Sequence, residues 1–402
     1  MIRDIKNIFH RIEAFLAKIK YGFPSRSIVV IGVTGTDGKT TTSHLIYHIL
    51  KSVGKSVSLT SSVFTDIAGE ISDTGLHVTT QSRWNIQKNI RKAVDKQCEY
   101  FVLETTSHGI DQYRVGGVEF SYAVLTNVTR EHLDYHKTYE KYLATKAKLL
   151  LWAKKIAIVN RDDGSFNEIA KILLAHKKEF VTFSLRDDAN YVWSDKIKTK
   201  LQEDFNRENI MAAVACCREI GLTQSEIYKA IKSFTLPKGR LDCVYDQDFK
   251  IYIDFAHTPN SIQKLLHEFK KGKGRIIHVF GSAGLRDADK RSEMGRASGQ
   301  SADIVIITEE DYRTEKFMNI AKEIIKGLGE FGFTKHKNKV AVQKEYVIKE
   351  RRQEAITYAV SIAKKGDIIV LTGKGHEQSL ARGKKEYSWD EYRAVRKALI
   401  MK

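Results

Sequence analysis

The sequence predicts an α/β protein built of parallel sheets covered by helices on both faces, and three observations carry that reading. Short continuous apolar runs such as Tyr100-Phe101-Val102-Leu103 and Ile304-Val305-Ile306-Ile307 recur along the chain, as strands buried on both faces do. Longer stretches with apolar residues at helical spacing separate them. The runs end in polar or Gly-rich loops, and ligands of such sheets bind at those strand ends.

Residues 1–24 place Ile5, Ile8, Phe9, Ile12, Phe15, Leu16 and Ile19 at helical spacing, with Arg3, Lys6, Arg11, Lys18 and Lys20 on the remaining faces. A basic amphipathic helix is expected, ended by Pro24. It packs on the body of the protein or on a partner, or it makes a peripheral contact with an anionic membrane surface.

The apolar run Ser27-Ile28-Val29-Val30 leads into Ile31-Gly32-Val33-Thr34-Gly35-Thr36-Asp37-Gly38-Lys39-Thr40-Thr41-Thr42 and then the helical pattern His44–Leu50. Strand, Gly-rich turn and helix in that order are the setting of a phosphate-binding loop. Gly32, Gly35 and Gly38 would let backbone N–H groups approach a polyphosphate, Lys39 supplies a cation, and the Thr40 hydroxyl can hold Mg²⁺. The strict spacing needs Gly where Val33 stands. A nucleoside triphosphate is the expected ligand.

Further strands are expected at 57–60, 100–103, 122–125 and 156–159, with helices near 84–96, 139–155 and 206–221. Leu236-Pro237-Lys238-Gly239 marks a domain boundary. A second α/β series follows, with strands at 251–253, 275–280, 304–307 and 368–371.

At 402 residues and 42% hydrophobic, the chain is long enough for two or three domains with cores of their own. Cys98, Cys216, Cys217 and Cys243 lack zinc-site spacing and read as plain thiols of a reducing compartment. No apolar stretch is long enough to span a bilayer and no secretory leader is visible, so a cytoplasmic monomer is expected. Sixty-seven Lys and Arg against 49 Asp and Glu give a net charge of +18, which favours polyanionic partners. The basic residues are scattered and no nucleic-acid-binding signature organises them, so nucleotide-bearing substrates fit better than nucleic acid.

Five loop segments carry clustered polar residues. Glu104-Thr105-Thr106-Ser107-His108-Gly109 ends a strand, which lets Glu104 reach a metal near the phosphate loop or simply meet solvent. Asn127 to His136 packs two histidines and two acids into a turn; His132 would be a minority ligand for Mg²⁺ and otherwise a hydrogen-bonded loop residue. Asp254 to Pro259, Phe280 to Arg291 and Gly373-Lys374-Gly375-His376-Glu377 follow strands in the second half.

In this order, from about Ile28 to the C-terminus, these motifs resemble the Mur ligase family, and within it the UDP-N-acetylmuramoyl-tripeptide synthetases. The resemblance implies a central P-loop ATP-binding domain at 26–236, after an N-terminal helix at 1–25, and a Rossmann-like domain at 237–402. It implies ATP-dependent addition of the third stem-peptide amino acid, diaminopimelate or lysine, to UDP-N-acetylmuramoyl-L-alanyl-D-glutamate through an acyl phosphate. By resemblance Gly35, Thr36, Asp37, Gly38, Lys39, Thr40, Thr41, Asn127, Asn209, Asp254, His257, Lys290 and Arg291 serve ATP. Thr40, Glu104 and His132 serve Mg²⁺, and Lys146 matches a lysine that is carbamylated so that its carboxylate can orient Mg²⁺, with Lys148 its confusable neighbour. Thr79, Thr80, Ser107, His108 and Arg114 match the muramoyl-peptide site. Arg286, Asp311, Arg313, Gly373 and Glu377 match the amino-acid site.

Three departures stand out. Members carry an N-terminal domain of roughly a hundred residues that grips the uridine nucleotide, where this chain shows a short helix. The Asp-Asn-Pro-Arg motif reads Glu310-Asp311-Tyr312-Arg313, and Thr-Thr-Pro reads Thr79-Thr80-Gln81. A folylpolyglutamate-synthase-like ligase is the alternative enzyme, disfavoured by Ser107-His108-Gly109 and by Gly373 to Glu377. A silent membrane-associated scaffold is disfavoured by intact Lys39, Thr40, Glu104, His132 and Lys146.

Overall fold

The computed structural model describes residues 2–73, 79–186, 188–270, 272, 274–336 and 344–402, with side chains from Lys6 onward, so Arg3 and Ile5 of the first helix lie outside the described side chains. The chain divides into two compact units, Met1–Pro237 and Lys238–Lys402.

The first unit opens with α1 (Ile2–Lys20), a 3-10 turn at Pro24–Arg26, β1 (Val29–Thr34), α2 (Lys39–Ser52), β2 (Val57–Thr60), β3 (Thr65–Ile67) and β4 (Glu70–Ser72). It continues through α3 (Arg83–Asp95), β5 (Tyr100–Glu104), α4 (Ser107–Asp111), β6 (Tyr122–Leu125), α5 (Leu133–His136) and α6 (Tyr139–Trp152). It closes with β7 (Ile156–Asn160), α7 (Phe166–Ala175), β8 (Phe180–Ser184), β9 (Tyr191–Val192), α8 (Asp204–Ile220) and α9 (Gln224–Lys232).

Among the described residues these strands make one nine-stranded sheet in the order β4-β3-β2-β5-β1-β6-β7-β8-β9. All neighbours are parallel except the β2-β3-β4 meander. One face buries Leu45, Ile46, Ile49 and Leu50 of α2 with Ile210, Ala213, Val214 and Cys217 of α8. The other buries Ile86 and Ile90 of α3 with Tyr142, Leu149 and Leu150 of α6. β1 lies between β5 and β6, so the chain leaves it in opposite directions and the loops after all three strands open at one end.

Several expected boundaries move. The apolar run extends as strand to Thr34, and Gly32 belongs to that strand rather than to the phosphate loop. A Cβ there would stand 2.8 Å from the Phe120 ring, so Gly32 is small for packing. α1 stops at Lys20, because Gly22 and Phe23 take left-handed conformations ahead of Pro24. Among its described side chains Ala14 and Ala17 are buried, while Ile8, Phe9, Ile12, Phe15, Leu16 and Ile19 are exposed. The four cysteines are free thiols, Cys243 exposed and the others buried.

The second unit runs β10 (Asp242–Asp246), β11 (Lys250–Ile253), α10 (Pro259–Lys270), β12 (Ile276–Phe280), α11 (Asp289–Gly299), β13 (Ile304–Ile307) and α12 (Phe317–Gly329). Then come β14 (Thr334–Lys335), β15 (Glu345–Ile348), α13 (Arg352–Ile362), β16 (Ile368–Leu371), the hairpin β17 (Ser379–Arg382) and β18 (Lys385–Ser388), and α14 (Glu391–Ile400). Among the described residues its sheet has seven strands in the order β10-β11-β16-β12-β13-β15-β14, parallel throughout except at β10. The expected strands 304–307 and 368–371 coincide with β13 and β16.

His278 of β12 is fully buried, its ring nitrogens 2.8 Å from Ser298 Oγ and 2.9 Å from Thr372 Oγ1. Burial, aided by the Arg352 guanidinium, pushes its pKa down from 6.5 to about 3. The unfolded chain takes up a proton here that the folded chain refuses, so this group withdraws stability as pH falls from about 6.5 toward 3. Urea unfolding should show about 2 kcal/mol lost to this residue between pH 7 and pH 5. His278→Gln, neutral at both, should lack that part of the acid loss; an unchanged pH profile would contradict it.

Candidate active site

The turn between β1 and α2 is pressed against two neighbouring elements. Gly38 has φ +79, a left-handed conformation, and a Cβ on it would collide with Asn209 Oδ1 from α8. A Cβ on Gly35 would collide with Thr126 Oγ1 from the loop after β6. Hydrogen bonds then pin the turn. Asp37 N donates to Asn127 Oδ1 at 2.9 Å, Thr126 Oγ1 donates to Asp37 O at 2.7 Å, and Thr36 N donates to Asn127 O at 3.0 Å. Asn209 also accepts from Thr42 Oγ1 at 3.3 Å, so Asn127 and Asn209 both brace the turn from outside it. Thr41 is buried in the first turn of α2.

Lys39 folds back, its Nζ donating to Thr36 O at 2.8 Å. Thr40 donates through Oγ1 to Glu104 Oε1 at 2.9 Å, and Ser62 N donates to Glu104 Oε2 at 2.8 Å. Glu104 is only 1% exposed, so the solvated-acid alternative fails. Thr40 Oγ1 also lies 3.0 Å from Ser62 Oγ. This carboxylate with two hydroxyls is an oxygen-rich corner at a helix N-terminus, the donor chemistry that Mg²⁺ takes beside a polyphosphate. No group of three or more His, Cys, Asp or Glu side chains able to hold a metal occurs among the described residues. The residues therefore suit an ion that keeps water and phosphate oxygens rather than a closed protein cage.

Lys146 reaches this turn from α6. It is 1% exposed, whereas Lys148 is exposed, which separates the two lysines. Its Nζ donates to Gly35 O at 2.6 Å and lies 4.7 Å from the centre of the Tyr142 ring. Burial, together with the Lys39 ammonium, holds the amine well below the ordinary lysine range, against the pull of Asp37 and Glu131. Tyr142 OH and Thr36 Oγ1 are 3.0 Å apart, so α6 grips the turn at two points four residues apart.

His132 sits beyond Tyr142 in an aromatic cluster. Its ring is 6.2 Å from Tyr142 and 4.7 Å from His108, with Tyr135 and His136 beside them. His136 Nε2 lies 3.0 Å from Ser107 Oγ. Thr80 accepts from Thr106 N at 2.9 Å, and its carbonyl accepts from Arg114 Nη1 at 2.9 Å. Thr79 is half-buried beside it. His132, Ser107, His108, Thr80 and Arg114 thus form one neighbourhood, and Tyr142 joins it to the turn. Sequence reasoning missed Tyr142, Ser62 and His136; Tyr142 was findable as the helical i−4 neighbour of Lys146.

The second unit holds two further groups at the carboxyl ends of its strands. After β11, Asp254 accepts from Leu241 N and Ala256 N, each at 2.6 Å. His257 O accepts from Lys290 Nζ at 3.2 Å. The Phe255 ring is flanked by His257, His376 and the Arg240 guanidinium; His257 was singled out and His376 lies inside a quoted motif, whereas Arg240 lies outside them. Arg291, expected near phosphates, is buried, and its guanidinium is held by Glu315 and Glu323, which ties α11 to α12 and the loop before α12.

After β13 and β16, Lys374 is fully buried and pairs with Asp311 at 3.0 Å and with Glu377. Burial alone would lower its pKa, but Glu377 and Asp311 outweigh that and keep it above the ordinary lysine range. Glu310 is buried beside Gly373, with burial and Asp311 raising its pKa, and its Oε2 finds no partner among the described residues. Arg313, at φ +51, donates from Nη1 to Gly284 O at 2.8 Å. Arg286 is exposed on the loop after β12. Lys374 and Glu377 are the cation and acid that the last motif was expected to hold close together; the burial of Glu310 was not foreseen.

Residues 33–207 match the model of the Mur ligase middle domain and residues 239–375 that of the Mur ligase glutamate ligase domain. The UDP-N-acetylmuramoyl-L-alanyl-D-glutamate–2,6-diaminopimelate ligase of Aquifex aeolicus is 32% identical over 398 residues, covering 94% of this chain and 79% of its own. That of Parabacteroides distasonis is 34% identical over 379 residues, covering 89% and 75%. A solved UDP-N-acetylmuramoyl-L-alanyl-D-glutamate–2,6-diaminopimelate ligase superposes with TM-score 0.60 at 26% identity, over 93% of this chain and 78% of that one. Mycobacterium tuberculosis folylpolyglutamate synthase, complexed with ADP and AMPPCP, superposes with TM-score 0.69 at 17% identity, over 90% and 92%, a likeness of fold alone.

The Thr40–Glu104 pair can be tested by its metal dependence. Glu104→Gln should raise the Mg²⁺ concentration for half-maximal ATP turnover about tenfold or more. Binding of metal-free nucleotide, followed by calorimetry, should change little. An unaltered Mg²⁺ dependence would leave Glu104 a purely structural residue.

Proposed function

The chain belongs to the Mur ligase family, and on that premise we propose that it joins meso-diaminopimelate to UDP-N-acetylmuramoyl-L-alanyl-D-glutamate as an ATP-dependent ligase of peptidoglycan precursor synthesis. The observation that carries the reading is the turn after β1, where a Thr40–Glu104 corner and a buried lysine of lowered proton affinity meet one glycine-rich backbone turn.

The reaction first joins the terminal phosphoryl of ATP to a carboxylate oxygen of the acceptor, releasing ADP. The amino nitrogen of the incoming amino acid then forms a bond to that carbonyl carbon, and phosphate and a proton leave. In the first unit, backbone N–H groups at the start of α2 and the Lys39 ammonium offset phosphate charge where it develops. Thr40 and Glu104 would hold Mg²⁺, which supplies charge neutralisation and orientation of the phosphates. Thr79, Thr80, Ser107, His108 and Arg114 offer hydroxyls, imidazole and guanidinium to the muramoyl peptide, and Arg114 is held rigid by Thr80 O and Gln112.

Lys146 is read as a carbamate. An amine without its proton can add CO₂: an N–C bond forms, the proton leaves, and a cation site becomes an anionic carboxylate. Burial and the Lys39 ammonium lower the proton affinity of the amine, which favours the uncharged form that CO₂ addition needs. His132, with Glu131 at 3.9 Å, would serve a second Mg²⁺.

In the second unit, Asp254, His257 and Lys290 form the group assigned to the nucleotide. Diaminopimelate ends in an ammonium and a carboxylate where lysine ends in an ammonium alone. Arg286 and Arg313 suit carboxylates and Glu377 an ammonium, with Asp311 and Gly373 framing the pocket. The reaction belongs in the cytoplasm, where its nucleotide substrates are found.

Phosphate release from ATP should require both the muramoyl dipeptide and meso-diaminopimelate, with lysine, ornithine and glutamate giving little. Release with lysine alone would reassign the amino acid, and release with neither would sink the ligase reading. Lys146→Ala should lower turnover at least about a hundredfold, with partial rescue by acetate or propionate. Full activity in that variant would remove the carbamate.

A further inference from the structure

α1 packs on the first unit by the wrong face for an ordinary core helix. Ala14 and Ala17 are the buried residues, and Gly116 and Gly117 let the helix come close: a Cβ on Gly116 would stand 3.1 Å from Ala14 Cβ. Glu13 is tied to Arg83 of α3. The opposite face carries Ile8, Phe9, Ile12, Phe15, Leu16 and Ile19, each 46% to 63% exposed. Monomers seldom leave a contiguous apolar stripe of this kind open to water.

Charge says what covers it. The helix has five basic residues, Arg3, Lys6, Arg11, Lys18 and Lys20, against Asp4 and Glu13. On a helical projection the described basic side chains flank the apolar stripe, Arg11 and Lys18 along one margin and Lys6 and Lys20 along the other. Lys18 lies over the rings of Phe15 and Phe23, and Lys20 over those of Tyr21 and Trp84. Aromatic rings and long basic stems at the margin of an apolar stripe suit the boundary between hydrocarbon and water. The whole chain adds a net charge of +18.

We infer that α1 docks the protein on an anionic lipid bilayer. It lies in the plane of the surface with its apolar stripe among the acyl chains and its ammonium and guanidinium groups at the lipid phosphates. No described helix is long and apolar enough to cross a membrane, so the contact is peripheral. The two alanines and two glycines hold the helix on the body while leaving its large side chains for the lipid.

The full chain should co-sediment with vesicles of phosphatidylglycerol and phosphatidylcholine at least about tenfold more tightly than with phosphatidylcholine alone, and added salt should weaken it. Phe9→Glu with Phe15→Glu should abolish binding, and Lys6→Glu with Lys20→Glu should erase the preference for the anionic vesicles. Both pairs are exposed and outside the active site, so thermal midpoint and ATP turnover in solution should match the parent. Absence of vesicle binding, or binding indifferent to both pairs, overturns the proposal. A dimer in light scattering that the phenylalanine pair dissolves would also overturn it, because a second copy would then cover the stripe. Loss of vesicle binding with turnover intact leaves the ligase reading standing, and the reverse separates the two the other way.

Discussion

The first unit depends on how closely the turn after β1 lies against its neighbours. Two positions without a Cβ, Gly35 and Gly38, admit Thr126 from one side and Asn209 from the other. Because the turn is fixed by its surroundings, three separate elements can be aimed at it. β5 delivers Glu104 to Thr40, α6 delivers Lys146 and Tyr142 to Gly35 and Thr36, and the loop after β6 delivers Asn127 to Asp37. A mobile turn would make each of these bonds pay for ordering it; a braced one has its donors in place before a ligand arrives. Burial in α6, with the Lys39 ammonium close by, also lowers the proton affinity of Lys146.

The second unit solves a different problem. The run Thr308-Glu309-Glu310-Asp311 follows a fully buried strand, so three carboxylates leave the sheet together under cover. Glu309 is held by Arg382 and the Arg352 backbone, Arg352 is paired with Glu391, and Lys374 takes Asp311. A buried charge survives when paired and hydrogen-bonded. Glu310 is the exception, a carboxyl whose proton affinity is raised beside residues assigned to the incoming amino acid. The replacement of Asp-Asn-Pro by Glu310-Asp311-Tyr312 is thus accommodated by Lys374 rather than left as bare negative charge.

Much of this was legible in the sequence, for physical reasons. Parallel strands buried on both faces write themselves as continuous apolar runs, so 57–60, 122–125, 304–307 and 368–371 coincide with observed strands. The β3–β4 hairpin was not legible, since its short strands carry polar residues and β4 is exposed. Glu104 and Lys146 stood out only through their motifs; that both are buried follows from tertiary packing, which no local pattern records. The pairing of Arg291 with Glu315 and Glu323 was not legible, because it joins residues 24 and 32 positions apart in the chain. The amphipathic pattern of α1 was plain, yet which of its faces meets the body was set by two alanines that carry little weight in any periodicity.

The account holds that the site moves a phosphoryl group onto a carboxylate oxygen rather than onto water. The most direct measurement uses UDP-N-acetylmuramoyl-L-alanyl-D-glutamate carrying ¹⁸O in its side-chain carboxylate, with ATP, Mg²⁺ and meso-diaminopimelate, and mass analysis of the released phosphate. One ¹⁸O in each phosphate, matched by amide product, is the predicted result. Unlabelled phosphate would mean that water attacks the nucleotide, and would contradict acyl activation at this site.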